Sequence, residues 1–288
     1  MELDNDQSKN SYILKKDEGE LAAIKEYERL EFQNALPQYD INTELDPEDI
    51  SFLPKEAKII DAGLGSGNVS RWINRNSGNR KITINAVDNF KELLSLTSNI
   101  LKEEGHRNIV TIEDDLLNLS KIPQESQDAC ITRYTAQHLP NGLEEYFSSI
   151  YRALKPGGRF LIVDADGVSS NLTTEDFDFN RKVIDLSFGF PSYYPQISPL
   201  IYFYLKKVGF DVDENDIKRE VVIFTGNESL AKEREVWEKR FEIISEKIRN
   251  KFPTQEKAEE YIERYKSSIV TEGRLIYYVK FRFVGIKR

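Results

Sequence analysis

The chain is expected to fold as an α/β domain: a Rossmann-like, seven-stranded, mostly parallel sheet with helices on both faces and an added helical lid. Two observations carry this expectation. Ile59-Ile60-Asp61 runs into Ala62-Gly63-Leu64-Gly65-Ser66-Gly67-Asn68, and then into Val69, Trp72 and Ile73 at helical spacing. That is a buried strand, a tight glycine turn and a helix start. Short apolar runs bounded by turn residues then alternate with helical patterns through residue 164, the signature of a parallel sheet.

Taken in order, residues 1–16 are polar and expected to be loose. Residues 17–36 place Leu21, Ile24, Tyr27, Leu30 and Phe32 mostly at helical spacing, and Pro37 ends that helix. Asp46-Pro47-Glu48-Asp49-Ile50 is a helix start with proline in the first turn. Strands are expected near 58–61, 82–87, 108–112, 129–132 and 159–163, with helices at 67–76, 89–104 and 141–154. After Asp164 comes a long connection at 169–196, with helix expected at 174–187 and an aromatic stretch from Phe188 to Pro195. Connections of this length are usually lids or binding loops. A helix at 197–208, a strand near 217–225, charged helices at 227–250 and 254–269, and a terminal strand from Arg274 complete the chain. The charge run in 231–266 is most simply a solvated helix face. The expected organisation is an N-terminal helical cover (1–56), a core (57–225 and 271–288) with a lid insertion (169–196), and a two-helix insertion (226–270).

The 288 residues carry a net charge of −9, with a pI near 5.1 and a mean hydropathy of −0.54. That acidity argues against a general binder of nucleic acid or anionic membrane, since phosphate binding wants a basic surface. No apolar run reaches the roughly 18 residues of a membrane span, and the first residues lack a secretory signal. Cys130 is the single cysteine and sits in an apolar stretch. A core residue in a reducing, cytoplasmic setting is expected. No cysteine or histidine cluster has metal-ligand spacing, so no metal is expected.

The glycine spacing bears on the cofactor. A dinucleotide fingerprint wants glycines at positions one, three and six. Gly63, Gly65 and Gly67 stand at one, three and five, and Asn68 takes position six. Asp61, just before the turn, suits a cofactor with a cationic amino group better than a pyrophosphate. Asp88 closes the second strand 25 residues after Gly63, where a carboxylate can accept from both ribose hydroxyls. Asn89 follows it, and Phe90 can lie against the adenine. The alternative is an Asp88 N-cap with Phe90 in the core.

These runs, with Val110–Leu116, Asp128–Pro140 and Leu154-Lys155-Pro156-Gly157-Gly158-Arg159-Phe160, resemble in order the landmarks of the class I S-adenosylmethionine-dependent methyltransferases of the small-molecule, ubiquinone-biosynthesis-like and natural-product type. Gln127 departs from the aromatic usual before the fourth strand. The resemblance implies S-adenosylmethionine as cofactor and S-adenosylhomocysteine as product. It implies that Asp115 with Leu116, or else Asp114, meets the adenine. It also implies that the Arg133 carbonyl takes the cofactor's amino group. Residues 26–33 resemble the family's cover helix, where Tyr27, Arg29 and Gln33 either reach cofactor or acceptor or simply pack an amphipathic helix.

If the acceptor is a hydroxyl, a base helps. His138, after the fourth strand, is the catalytic candidate, with a loop-bracing role as the alternative. His106 is expected in an exposed turn. Phe188, Phe190, Tyr193, Tyr194, Tyr202 and Trp237 are candidates to line an acceptor pocket. The expected partner is a small-molecule methyl acceptor, with no nucleic acid and no membrane, the chain acting as monomer or homodimer. Methylation of protein or RNA, and a non-catalytic, regulatory cofactor-binding role, are the competing readings.

Overall fold

The computed structural model describes residues 19–167, 174–189, 193–225, 227–269 and 275–288. The expectations for residues 1–16, for 169–173 and for Phe190, together with the side chain of Phe188, lie outside the described residues.

The strands are β1 (Glu56–Ala62), β2 (Lys81–Asp88), β3 (Ile109–Glu113), β4 (Gln127–Arg133), β5 (Leu154–Asp166), β6 (Phe210–Asp211), β7 (Lys218–Phe224) and β8 (Ile276–Lys287). They form one eight-stranded sheet in the order β3-β2-β1-β4-β5-β8-β6, with β7 also paired to β8. The first five are parallel. β8 returns antiparallel to β5. The fold is thus the mostly parallel α/β sheet the sequence predicts, with eight strands in place of seven. The extra strand exists because β8 is long. Its end takes the two-residue β6, while its first half takes β7 along the same edge.

Ile59 and Ile60 show why β1 is central. Successive side chains leave a strand on opposite faces, and both are fully buried. Ile59 joins Trp72, Ile73, Ile84 and Leu161 on one face. Ile60 joins Cys130, Phe147, Phe160 and Ile201 on the other. The helices covering these faces include α3 (Asn68–Asn76), α4 (Lys91–Glu103), α5 (Leu143–Ala153) and α7 (Ser198–Val208). At nine residues, α3 is too short to persist alone. Burial of Val69, Trp72 and Ile73 holds it in place, each worth about 1.5–3 kcal/mol.

A third apolar cluster ties α6 (Phe177–Phe188), α8 (Asn227–Arg249) and α9 (Gln255–Ile269) to β7 and β8. Trp237, Phe241, Tyr265 and Tyr278 are its large members. The charge run of 231–266 is therefore not wholly solvated, and Glu233 is buried.

Three local readings change. First, Pro47–Ile50 is a 3-10 turn, closed by a reciprocal Asp46–Asp49 capping box. A short helix, α2 (Ile41–Glu44), precedes it. Second, the Lys155–Arg159 glycine turn lies within a strand, because Leu154 pairs Gln127 and Arg159 pairs Ala129 across an irregularity. Third, α1 (Gly19–Asn34) buries Ala23, Glu26, Arg29 and Gln33 and leaves Leu21 and Ile24 exposed. Its inward face carries Glu26, Arg29 and Gln33 into the cleft wall, beside Leu30.

Candidate active site

In the sheet order, the chain steps outward one way from β1 to β3 and the other way from β4 to β5. The strand ends at such a switch point leave a crevice that helices do not fill. The crevice here is a cleft of about 190 Å³.

The glycine turn leaves β1 there. Gly63 has φ +86°, a left-handed conformation, and a Cβ on it would lie 2.5 Å from Thr135 Oγ1. A side chain at Gly63 would thus collide with the loop after β4 as well as strain the backbone. Gly65 and Ser66 continue the cleft wall. Asp88, at the end of β2, accepts from the Gly65 N–H at 3.1 Å and the Phe90 N–H at 3.0 Å. The Asn89 N–H also bears on it, and since a carboxylate has about four acceptor positions, capacity for a further donor remains. Burial raises its pKa, while those backbone N–H groups oppose the shift.

The end of β3 separates the two candidate acids. Asp115 and Leu116 line the cleft. Asp114 does not. It accepts from Ser120 Oγ at 3.0 Å and the Lys121 N–H at 2.7 Å, and so is occupied in shaping its own loop.

The end of β4 supplies Arg133, Tyr134, Thr135, Gln137 and His138 to the wall. Arg133 donates to Glu44 at 2.5 Å, to Asn34 Oδ1 at 2.9 Å and to the Tyr39 carbonyl at 2.6 Å. Glu44 also accepts from the Tyr134 hydroxyl at 2.6 Å and pairs with Lys280 at 3.1 Å. Burial works to raise the Glu44 pKa, but Arg133 and Lys280 outweigh it and hold the carboxyl below its ordinary value. Tyr134 adopts φ +55°, a costly conformation for a bulky side chain that concentrates at functional sites.

His138 keeps some exposure to the cleft, and its ring lies 5.7 Å from that of Tyr193. Burial first, then the charges of Arg240, Arg29 and Lys247, push its pKa well below 6.5. The imidazole is neutral at neutral pH, with its basicity reduced by those same causes.

Of the remaining candidates, Asn89, Phe90 and Gln33 line the cleft, while Asp61, Gly67 and Tyr27 do not. Asp61 lies behind the turn, accepting from Ser70 Oγ at 2.6 Å. Its other oxygen is buried without a partner, and burial pushes its carboxyl up to about 7. Gly67 caps α3 against Thr97 and Leu101. The Tyr27 hydroxyl accepts from Arg71 at 3.0 Å, and that guanidinium is held in turn by Glu104. Gln33 accepts from Arg29 at 2.7 Å, and Arg29 pairs with Glu26 at 2.6 Å. None of Tyr193, Tyr194, Tyr202 and Trp237 lines the cleft. Tyr202 donates to Glu214, and Trp237 sits in the third cluster. His106 is half-buried beside Asn74, not exposed.

Sequence reasoning missed Glu26, Tyr39, Tyr134 and Arg240 in the wall. Two of these had a readable signal. Glu26, Arg29 and Gln33 stand at i, i+3 and i+7 on one helix face. Glu233, Trp237 and Arg240 stand at i, i+4 and i+7 on another.

Residues 59–158 match the family model described as a methyltransferase domain. Those residues form a methyltransferase domain. It is of the class I kind, which uses S-adenosylmethionine. The chain is 26% identical over 182 residues to the S-adenosyl-L-methionine-dependent Diels-Alderase iccD of Talaromyces variabilis, covering 59% of each chain. It is 30% identical over 127 residues to EEF1A lysine methyltransferase 2 of Danio rerio, covering 42% of this chain and 53% of that one. The chain thus spans between about half and three-fifths of the length of these relatives. Among solved structures, phosphoethanolamine N-methyltransferase 2 of Haemonchus contortus superposes with a TM-score of 0.57 at 22% identity. That match covers 93% of this chain and 57% of the other, and it is a likeness of fold.

The methyltransferase domain fits its cofactor on its own geometry. The Gly63 cradle would be filled by a Cβ, and Asp88, which lines the cleft, has acceptor capacity to spare. Among the described residues no group of His, Cys, Asp and Glu could hold a metal ion. None of the described helices is long and apolar enough to cross a membrane.

Proposed function

We propose that the chain transfers a methyl group from S-adenosylmethionine to a small molecule held between the β4 loop and the cover helices. One observation carries the reading: a glycine turn, Asp88, Asp115 and His138 share one cleft roofed by α1 and Arg240 of α8. When bound, S-adenosylmethionine supplies an activated methyl group, the new bond to the acceptor forming as the carbon–sulfur bond breaks and S-adenosylhomocysteine leaves.

The residues of this chain do the rest. Asp88 accepts from the ribose hydroxyls. Asp115 and Leu116 meet the adenine, with Phe90 against its ring. The Arg133 carbonyl takes the cofactor's cationic amino group. His138 takes the proton from a hydroxyl acceptor. Positioning and exclusion of water supply much of the rate in such a reaction.

The cover and the net charge of −9 favour a small acceptor over a nucleic acid. The likeness to a lysine methyltransferase keeps a protein acceptor as an outcome of the test. The likeness to a Diels-Alderase favours a second reading, in which the cofactor is held but not consumed. Incubating the protein with methyl-labelled S-adenosylmethionine and host metabolite extract decides among these. A labelled small molecule with matching S-adenosylhomocysteine release is the expected result. Tight cofactor binding with no release supports the second reading, and tight NAD binding without response to either sulfur compound overturns both.

A further inference from the structure

The three guanidinium groups in the cleft wall are not equivalent. Arg29 is committed to Glu26 and Gln33. Arg133 is committed to Glu44, Asn34 and the Tyr39 carbonyl. Arg240 reaches the wall from α8, and its guanidinium carbon lies 4.9 Å from the centroid of the Trp237 ring. No ion pair among the described residues engages it. Its Nε is buried without a hydrogen-bond partner. A cation held over an indole face gains electrostatic attraction, but that contact answers none of the guanidinium's N–H donors.

The carboxylates of the wall do not answer them. Glu26 is paired with Arg29. Asp88 and Asp115 hold backbone N–H groups at the ends of β2 and β3. Glu233, one turn before Trp237, has an oxygen that is itself buried and unpartnered. It lies close enough for Arg240 to lower its pKa, yet burial keeps the carboxyl up at about 7. Arg240 is also the foremost charge acting on His138, so the cation and the imidazole share one end of the cleft.

We infer that Arg240 is the docking point for an anionic group, a carboxylate or phosphate, on the methyl acceptor. The inference rests on the methyltransferase reading and names its acceptor class. A planar anion answers the in-plane donors of an arginine in a bidentate pair. The remainder of such an acceptor then lies toward His138 and Tyr134. The anion also offsets the positive charge that holds His138 deprotonated, which strengthens the imidazole as a base once the acceptor is seated.

The test is calorimetry on the full chain saturated with S-adenosylhomocysteine, titrated with benzoate, phenyl phosphate and the neutral benzamide. At least one anion should bind, and benzamide should bind about tenfold more weakly or worse. Arg240→Gln should weaken the anion by about 10- to 100-fold and leave S-adenosylhomocysteine affinity within about twofold. The carboxylate and phosphate arms separate the two sources of charge. The anion–amide comparison needs no variant, so it decides even where Arg240→Gln does not fold. Equal binding of anion and amide overturns the inference, as does no anion binding at millimolar concentration. Full anion affinity in Arg240→Gln overturns it too. A parallel loss of S-adenosylhomocysteine affinity assigns Arg240 to the cofactor and overturns it as well. If the wild type fails to bind S-adenosylhomocysteine, the methyltransferase reading falls, and the same titration of the unloaded protein still decides the role of Arg240.

Discussion

Removing the Asp88 carboxylate tests the cofactor site most directly. In the free protein it accepts from backbone N–H groups, among them Gly65 at 3.1 Å and Phe90 at 3.0 Å. Both belong to the cleft wall, so water can replace the lost acceptor and the fold should lose about 1 kcal/mol or less. The cofactor has more to lose. Asp88→Ala removes the remaining acceptor capacity that the ribose would use, and hydrogen bonds to a charged group are worth about 1.5–3 kcal/mol. Part of that is recovered by water in the variant, so a net loss of roughly 1–3 kcal/mol, about 5- to 150-fold in Kd, is expected. Asp88→Asn keeps one acceptor oxygen and should fall between wild type and alanine. Calorimetry with S-adenosylhomocysteine, run beside thermal melts, reads both effects. Unchanged affinity in a folded Asp88→Ala protein would refute the reasoning, because the ribose would then be held elsewhere.

Gly63→Ala forces a Cβ to within 2.5 Å of Thr135 Oγ1 at φ +86°, and should cost about 1–3 kcal/mol of stability and most cofactor affinity; a variant melting and binding like wild type would contradict the geometry. His138→Ala should lower turnover on a hydroxyl acceptor by about 10²–10⁴-fold while sparing cofactor affinity. A pH–rate profile checks this, since the deficit should shrink at high pH, where the acceptor ionises unaided. Burial pushes Asp61, Asp164 and Glu233 each up to about 7, above the roughly 4 of the unfolded chain. Their raised folded values contribute stability that is present below pH 4 and lost as pH rises through about 7. His138, lowered on folding, acts in the opposite sense and offsets part of this. Melting temperature should therefore fall as pH rises from about 4 through about 7, and a rise across that window would show that these carboxyls ionise freely in the folded state.

The parts of the fold that were legible share one property: local sequence and tertiary environment demand the same thing there. Ile59 and Ile60 are buried on both faces, so β1 reads as an unbroken apolar run. Gly63 and Gly65 are needed for left-handed backbone, so the turn reads as glycine. Elements failed to read where the environment reverses the local pattern. In α1, Leu21 and Ile24 are exposed while Glu26, Arg29 and Gln33 are buried against the cleft, so hydrophobic periodicity names the wrong face there. β6 has only two residues and exists through its pairing with the end of β8, which no local propensity reports. Asp114 and Asp115 are adjacent and chemically alike. The Ser120 and Lys121 donors that claim Asp114 come from a turn whose path is fixed only in three dimensions. Arg240 was hidden in a charge run because composition does not say which face of α8 meets the third apolar cluster.

The buried ion pairs beside the cleft raise a question of purpose that magnitudes can answer. A buried salt bridge gains little net stability over apolar residues of the same shape, because desolvation consumes most of the Coulombic attraction. Glu44 with Arg133 and Lys280, and Glu26 with Arg29, are therefore poor choices if stability alone is the need. What they provide is position. Glu44 joins α2 to β4 through Arg133, to β8 through Lys280, and to the Tyr134 hydroxyl. Tyr134 stands at φ +55°, a conformation that persists only when its surroundings over-determine it. The Glu44 carboxylate, the edge-on ring of Tyr39 at 6.1 Å and the Val163 carbonyl accepting from the Tyr134 N–H do so. Thr135 follows Tyr134 directly and His138 stands four residues on, in the 3-10 turn Ala136–His138, so the same contacts bear on where the candidate base stands relative to the glycine turn. On this argument the cover of α1 and α2 is part of the active-site frame. If His138 is the base, a substitution that loosens Glu44 should lower turnover more than it lowers the melting temperature of the sheet.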